Sequence, residues 1–218
     1  MNLYGGNVAN LNVKGIPVTV RQWTDYPWDG MIDLVIQPQK EFAFSMFLRI
    51  PAWCRTATIT VNDEEITEEV HSGEFLKLHR TWISGDRIRL SLSMPVEFVL
   101  SYPRLFENNG KVVLKGGPTV YCLEQVDNPD HDVWDIALRI DHSKIQAEWI
   151  PELLSGVMII RGEAIAIDSD WSDTALYRAS EASAARCPTI RLTSVPYYAW
   201  ANRDPGPMTV WIRSSSAS

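Results

Sequence analysis

The chain has 218 residues, 45% of them hydrophobic, enough to bury a sizeable core in one or two domains. Lys and Arg number 20 against 27 Asp and Glu, a formal charge of −7, which argues against nucleic acid and against anionic membrane surfaces as partners. No apolar run approaches the roughly 20 residues of a membrane-spanning helix, and Met1–Gly6 lacks the basic start and apolar stretch of a signal peptide, so a cytoplasmic location is expected.

Taken in chain order, the apolar residues recur with period two. Asn10–Thr24 alternates through Val13, Ile16, Val18 and Val20, and Met31–Gln37 through Ile32, Leu34 and Ile36. Between them Tyr26-Pro27-Trp28-Asp29-Gly30 has the composition of a turn, so the two strands read as a hairpin. Glu41–Ile50 places Phe42, Phe44, Met46 and Leu48 on one face, and Pro51 ends it. Short strands follow at Thr58–Val61, Phe75–Leu78, Arg87–Leu92 and Val96–Leu100. Strands at such spacing, with turn residues between them, predict sandwich architecture rather than α/β.

The stretch Lys111–Glu124, KVVLKGGPTVYCLE, reads as two apolar strand pieces broken at Gly116-Gly117-Pro118, a kink or bulge at the seam between two modules. Beyond it, strands are expected at Ile136–Ile140 and Ile145–Trp149, then a pair, Gly156–Ile160 and Ala164–Ile167, around Arg161-Gly162-Glu163. Asp170–Pro188 is the least regular part, with one helical turn conceivable at Ala182–Arg186. Thr189–Leu192 and Met208–Arg213 close the series. The fold expected is all-β, with two packed antiparallel β-sandwich modules. The first covers residues 1–102 and is completed in one version by strand 208–213; the second covers 103–207, and 214–218 is a disordered tail.

Three candidate chemistries present themselves. Cys54, Cys122 and Cys187 are odd in number and far apart, which argues against a disulfide framework, and their spacing to His71, His79, His131 and His142 supports no zinc site. Glu124, Asp127, Asp130, Asp132 and Asp135 cluster in sequence and could supply a glycosidase carboxylate pair, but they read better as a solvated acidic loop. No G-x-S-x-G elbow is present. Nine Trp and seven Tyr leave flat rings to spare, and Tyr26, Trp28, Tyr197, Tyr198 and Trp200 fall in turn-like segments. Trp28, Tyr197, Tyr198 and Trp200 are the candidates for stacking against a sugar; packing into a core or an interface is the alternative.

Four segments then carry a family resemblance: LRIPAWC (Leu48–Cys54), TWISGDRIRLSLSMPVE (Thr81–Glu97), KVVLKGGPTVYCLE, and VPYYAWANRDPGPMTVWIR (Val195–Arg213). In this order and spacing the chain resembles the C-terminal part of the β-L-arabinofuranosidase-like glycoside hydrolases, a bacterial family. The resemblance implies a catalytic (α/α)6 barrel ahead of β-sandwich domains, with a cysteine nucleophile beside a second cysteine, a zinc ion held by Cys and Glu, and a Glu acid/base, all in the barrel. No residue here matches those positions, so no catalytic, cofactor or metal residue carries over. Gly116 stands where the family usually has Arg. The resemblance implies a non-catalytic portion that braces the barrel or its homodimer, with Met1 an artificial start or a truncation. A free carbohydrate-binding module is the alternative. Bracing further implies an exposed apolar face that includes the N-terminal strands and the Tyr26–Trp28 turn.

Overall fold

The computed structural model describes residues 1–140, 144–167, 177 and 187–215, and these divide into two compact units, Met1–Pro95 and Val96–Ser218. The division falls at Pro95 rather than after Tyr102. The reason is strand Val96–Leu100, which pairs antiparallel with Lys111–Gly116 and so belongs to the second unit. Among the described residues there is no α-helix, only strands and four single-turn 3-10 segments, so the chain is all-β.

The first unit contains β1 (Asn7–Val13), β2 (Ile16–Thr24), β3 (Met31–Pro38), β4 (Phe42–Arg49), β5 (Ala57–Val61), β6 (Glu64–Glu65), β7 (Phe75–Trp82) and β8 (Asp86–Leu92). Six of them form a sheet in the order β1-β2-β3-β8-β5-β6, and β4 and β7 form a second, two-stranded sheet. One core joins the two sheets. Ile32, Leu34 and Ile36 from β3 and Ile88 and Leu90 from β8 share it with Phe44, Leu48, Leu78 and Trp82. The sequence alternation drives this, because side chains two apart point to one face and the apolar set must leave water. Trp82 is fully buried, and its indole N–H donates to the Phe44 carbonyl at 3.1 Å, which meets the polar demand of a buried Trp.

The long alternation read as one strand from Asn10 to Thr24 is a hairpin. Lys14 and Gly15 both have positive φ, 53° and 81°, and the Asn12 side chain accepts from the Gly15 N–H at 2.8 Å. Lys hides this turn from a composition reading, since Asn or Asp is the usual companion of Gly there.

The second unit contains β9 (Val96–Leu100), β10 (Lys111–Gly116), β11 (Thr119–Glu124), β12 (Ile136–Arg139), β13 (Ile145–Ile150), β14 (Val157–Ala166), β15 (Thr189–Pro196), β16 (Met208–Thr209) and β17 (Ile212–Ser215). Six of these pair in a closed circuit, β10-β11-β15-β14-β12-β17 and back to β10, the barrel-like limit of a sandwich. Its pairs are antiparallel except β12 with β17, which run parallel. Val112, Leu114, Tyr121, Leu123, Ile160 and Leu192 fill the interior.

Several expectations are corrected here. The break in KVVLKGGPTVYCLE is a tight hairpin at Gly117-Pro118, with Gly116 opposite Thr119, and lies wholly inside the second unit rather than at a seam. Strand 208–213 does not return to the first unit: Met208 pairs with Glu124, and Ile212 with Val112. Ser214 and Ser215 are strand residues beside Leu138 and Arg139, not tail. Arg161-Gly162-Glu163 lies in mid-strand. Gly162 is there for close approach, since a Cβ on it would come within 2.7 Å of the Lys144 carbonyl oxygen. The helical turn considered at 182–186 lies outside the described residues.

Candidate functional site

The sequence candidates fall in both units. Trp28 is half-buried in the β2–β3 turn of the first unit, whereas Tyr197, Tyr198 and Trp200 belong to the second. In the same turn Tyr26 stacks on Trp53, with centroids 6.4 Å apart, and meets Tyr4 edge-on. It packs against the core rather than lying open, so the expected exposed turn is half-buried. The N-terminal segment does expose apolar side chains: Leu3, Val8, Leu11 and Trp23 are each at least half exposed.

The second unit presents an organised site at the end of β11. A single 3-10 turn, Tyr197–Ala199, follows β15 and carries the aromatics. Tyr197 and Trp200 lie near-parallel, 8° apart with centroids at 6.0 Å, and both are nearly half exposed; Tyr198 is more so. The loop behind them is fastened from below. Arg203 donates through Nη1 and Nη2 to the Asp127 carboxylate, the Nη2–Oδ2 distance being 2.6 Å, and through Nη2 also to Glu124. The Ala201 N–H donates to Glu124 Oε1 at 3.2 Å. Asn202 caps the preceding carbonyls of Ala199 and Trp200.

This ion triad is buried: the side chains of Arg203, Glu124 and Asp127 are 15%, 6% and 13% exposed. The expectation of a solvated acidic loop is therefore wrong for Glu124 and Asp127. They point inward because a cation arrives from a loop distant in sequence. Hydrogen bonding to Asp127 raises the Arg203 pKa against the desolvation that burial imposes, and Glu124 adds to it, so the guanidinium stays charged. Asp130 is exposed, Asp132 accepts from the Trp134 N–H at 2.9 Å, and Asp135 lies 3.8 Å from Arg213. Carboxylates bound to one guanidinium in this way hold the loop in place.

Asn128 completes the anchor. Its amide donates to the carbonyls of Glu124 and Thr193 and accepts from the Thr193 N–H, tying the turn after β11 to β15. Arg203 was missed from the sequence, where it stands 76 residues or more from its partners, beyond any local spacing signal. The signal that existed was one Arg in a Pro- and Gly-rich loop just after an aromatic run.

The cysteines do not fit a zinc site of Cys and Glu. Cys54 is buried in the first unit, its Sγ 3.2 Å from the Thr56 carbonyl oxygen; burial raises its pKa. Cys122 is buried in the second unit, and burial, reinforced by Glu124 and Asp127, pushes its thiol up to about 12. Thiols held protonated are poor ligands and poor nucleophiles. Cys187 is only partly buried. Among the described residues no three His, Cys, Asp or Glu side chains converge as a metal site, and His142 lies outside them. At Gly116, an added Cβ would sit 3.4 Å from the Tyr121 ring, so a larger residue would lie directly against that tyrosine.

Two family models divide the chain at nearly the same boundary as the fold. Residues 1–94 match the β-L-arabinofuranosidase GH127 middle domain, and 96–213 match the glycoside hydrolase family 127 C-terminal domain. A non-reducing end β-L-arabinofuranosidase of Bifidobacterium longum is 35% identical over 215 residues, covering 94% of this chain and 32% of the relative. The crystal structure of a GH127 β-L-arabinofuranosidase from Geobacillus stearothermophilus superposes with a TM-score of 0.89 at 38% identity, over 98% of this chain and 33% of that one. A second solved structure, a GH127 β-arabinofuranosidase, gives 0.81 at 31% identity, over 98% and 34%. The chain thus spans about a third of the length of the relatives it matches. It belongs to glycoside hydrolase family 127 and corresponds to that family's middle and C-terminal domains.

Proposed function

We propose that the chain is the non-catalytic β-portion of a β-L-arabinofuranosidase-type glycoside hydrolase and braces the catalytic barrel or its homodimer. The observation that carries this reading is the end-to-end match to the middle and C-terminal domain models, over a third of the relatives' length. The chemistry agrees with it. The carboxylates nearest to a glycosidase pair are locked by Arg203, and the buried thiols are held protonated. Zinc, in this reading, belongs to the barrel. The test is an assay of the purified chain on an aryl β-L-arabinofuranoside together with metal analysis. The expected result is no turnover and no stoichiometric zinc. Turnover that is lost on Glu124→Gln or Asp127→Asn would overturn the reading.

A second reading, carbohydrate binding at Tyr197, Tyr198 and Trp200, is favoured by the near-parallel, half-exposed rings on a fastened loop. Titration with arabino-oligosaccharides, followed by Trp fluorescence, tests it. Saturable binding abolished by Trp200→Ala supports this reading, and no binding removes it.

A further inference from the structure

The loop after β11 does more than carry two members of the ion triad. Gln125 fastens it from within. Its Nε2 donates to the carbonyls of Asn128 and His131 at 2.8 and 2.9 Å, and its Oε1 accepts from the Val133 N–H at 3.3 Å. Asn128 ties the same loop to Thr193 of β15, donating to its carbonyl and accepting from its N–H. Loop and strand are thereby held in a fixed relation, and between them lies a pocket of about 310 Å³. That is near the lower end of the roughly 300–1,000 Å³ of small-molecule sites. Walls set in advance lower the ordering cost of binding.

Two of the polar side chains in the wall are already used. Arg203 takes the Asp127 carboxylate, and the backbone takes the Asn128 amide. Others are not. Among the described residues, no hydrogen bond or ion pair engages the side chains of Asp130, His131, Arg191 and Thr193, all of which line the pocket. Arg191 is left over for a physical reason: the residue opposite it on β14 is Glu163, whose carboxylate Lys144 takes at 2.5 Å. The loop thus contributes a carboxylate and β15 a guanidinium, and the two do not pair with each other. Pro129, Ile136 and Ile190 supply apolar lining.

We infer that this pocket is a binding site for a small neutral sugar, one pentose or hexose ring. The two uncommitted charges are of opposite sign, so the pocket favours neither an anion nor a cation. A carboxylate accepts from hydroxyls and a guanidinium donates to them, both through charge-assisted bonds. The Thr193 hydroxyl and the His131 ring each add donor and acceptor capacity. Such a set suits a ring bearing several hydroxyls, whose C–H groups meet the apolar lining. A free amino acid would satisfy Asp130 and Arg191 with its two charged ends and leave Thr193 and His131 without partners. Tyr197, Tyr198 and Trp200 do not line the pocket, so the inference rests neither on the bracing reading nor on stacking at those rings.

The test is titration of the isotope-labelled chain with L-arabinose, D-xylose and D-glucose, and separately with glycine, followed by amide NMR shifts. Saturable shifts at Asp130, His131, Arg191 and Thr193 are expected with at least one of the sugars, and none with glycine. Asp130 and Arg191 are exposed, so Asp130→Ala and Arg191→Ala should leave the spectrum outside the pocket unchanged. Each is expected to weaken sugar binding by about tenfold or more, the worth of a hydrogen bond to a charged group. The inference is overturned by the absence of saturable shifts with all three sugars, by saturation with glycine, or by sugar binding that survives both substitutions. Sugar shifts confined to Tyr197–Trp200 overturn it as well, and favour the rings instead.

Discussion

The two units solve the same problem in different ways. Both bury alternating apolar faces, but the first does so with two open sheets, of six strands and of two, whereas the second closes six of its strands into a circuit and leaves β9, β13 and β16 outside it. The first unit's core is mostly Ile, Leu and Val around Trp82, with Phe44, Met46, Tyr4 and Cys54, and its buried polar groups, Gln22 and Asp86, are not a cluster of opposite charges. Closing a ring forces a loop to cross its end, and the loop's polar backbone must be satisfied there. The second unit meets that demand with buried charges, Arg203 between Glu124 and Asp127. The buried ion triad makes the second unit vulnerable to a single substitution.

That contrast can be broken at its strongest point first. Arg203→Met should strand two buried carboxylates and cost about 3–5 kcal/mol, with loss confined to the second unit. Denaturant unfolding followed by exchange in β3 and β14 separately would show β14 shifted and β3 unmoved; equal shifts would erase the distinction. Leu34→Ala, fully buried in the first core, should cost about 2–5 kcal/mol in the mirror-image pattern, β3 shifted and β14 not. Gly162→Ala forces a methyl onto the Lys144 carbonyl and should cost about 1–3 kcal/mol, read as faster exchange across β13 and β14. Alkaline pH sharpens the comparison further. Cys122 is raised in the folded chain from 9.0 to about 12, so the folded state holds its proton where the unfolded state has lost it. Stability from this group is complete below pH 9 and is lost as pH rises toward 12. Cys122→Ala should flatten that decline, and iodoacetamide at pH 8 should leave Cys122 unmodified in the folded chain. The smallest effect belongs to the first unit's leading turn. Lys14→Asn eases a left-handed residue and should raise stability by less than about 1 kcal/mol, seen as a small increase in Tm.

Much of the fold was legible because it rests on local rules. Period-two alternation placed β3, β4 and β8 with their buried faces, and the Pro-Asp-Gly turn joined β2 to β3 as expected. What was misread depended on partners distant in the chain. Gly162 looks like a turn residue until the Lys144 carbonyl is seen against it, and Val96–Leu100 has no intrinsic allegiance until β10 claims it. The site followed the same division. The aromatic run Tyr197–Trp200 could be singled out from composition, but the near-parallel pairing of Tyr197 with Trp200 could not. Glu124 and Asp127 looked like solvated loop carboxylates, because nothing within reach in sequence neutralises them; Arg203 does so across the fold.

The bracing role is tested most directly by sedimentation velocity of the purified chain mixed with a separately produced catalytic barrel from one of its family 127 relatives. The account predicts that the chain and the barrel co-sediment as a complex, and that charged substitutions at the exposed Val8 and Trp23 release the chain. The contradicting result is a chain that sediments alone beside the barrel, binds arabino-oligosaccharides as a monomer, and loses that binding with Trp200→Ala.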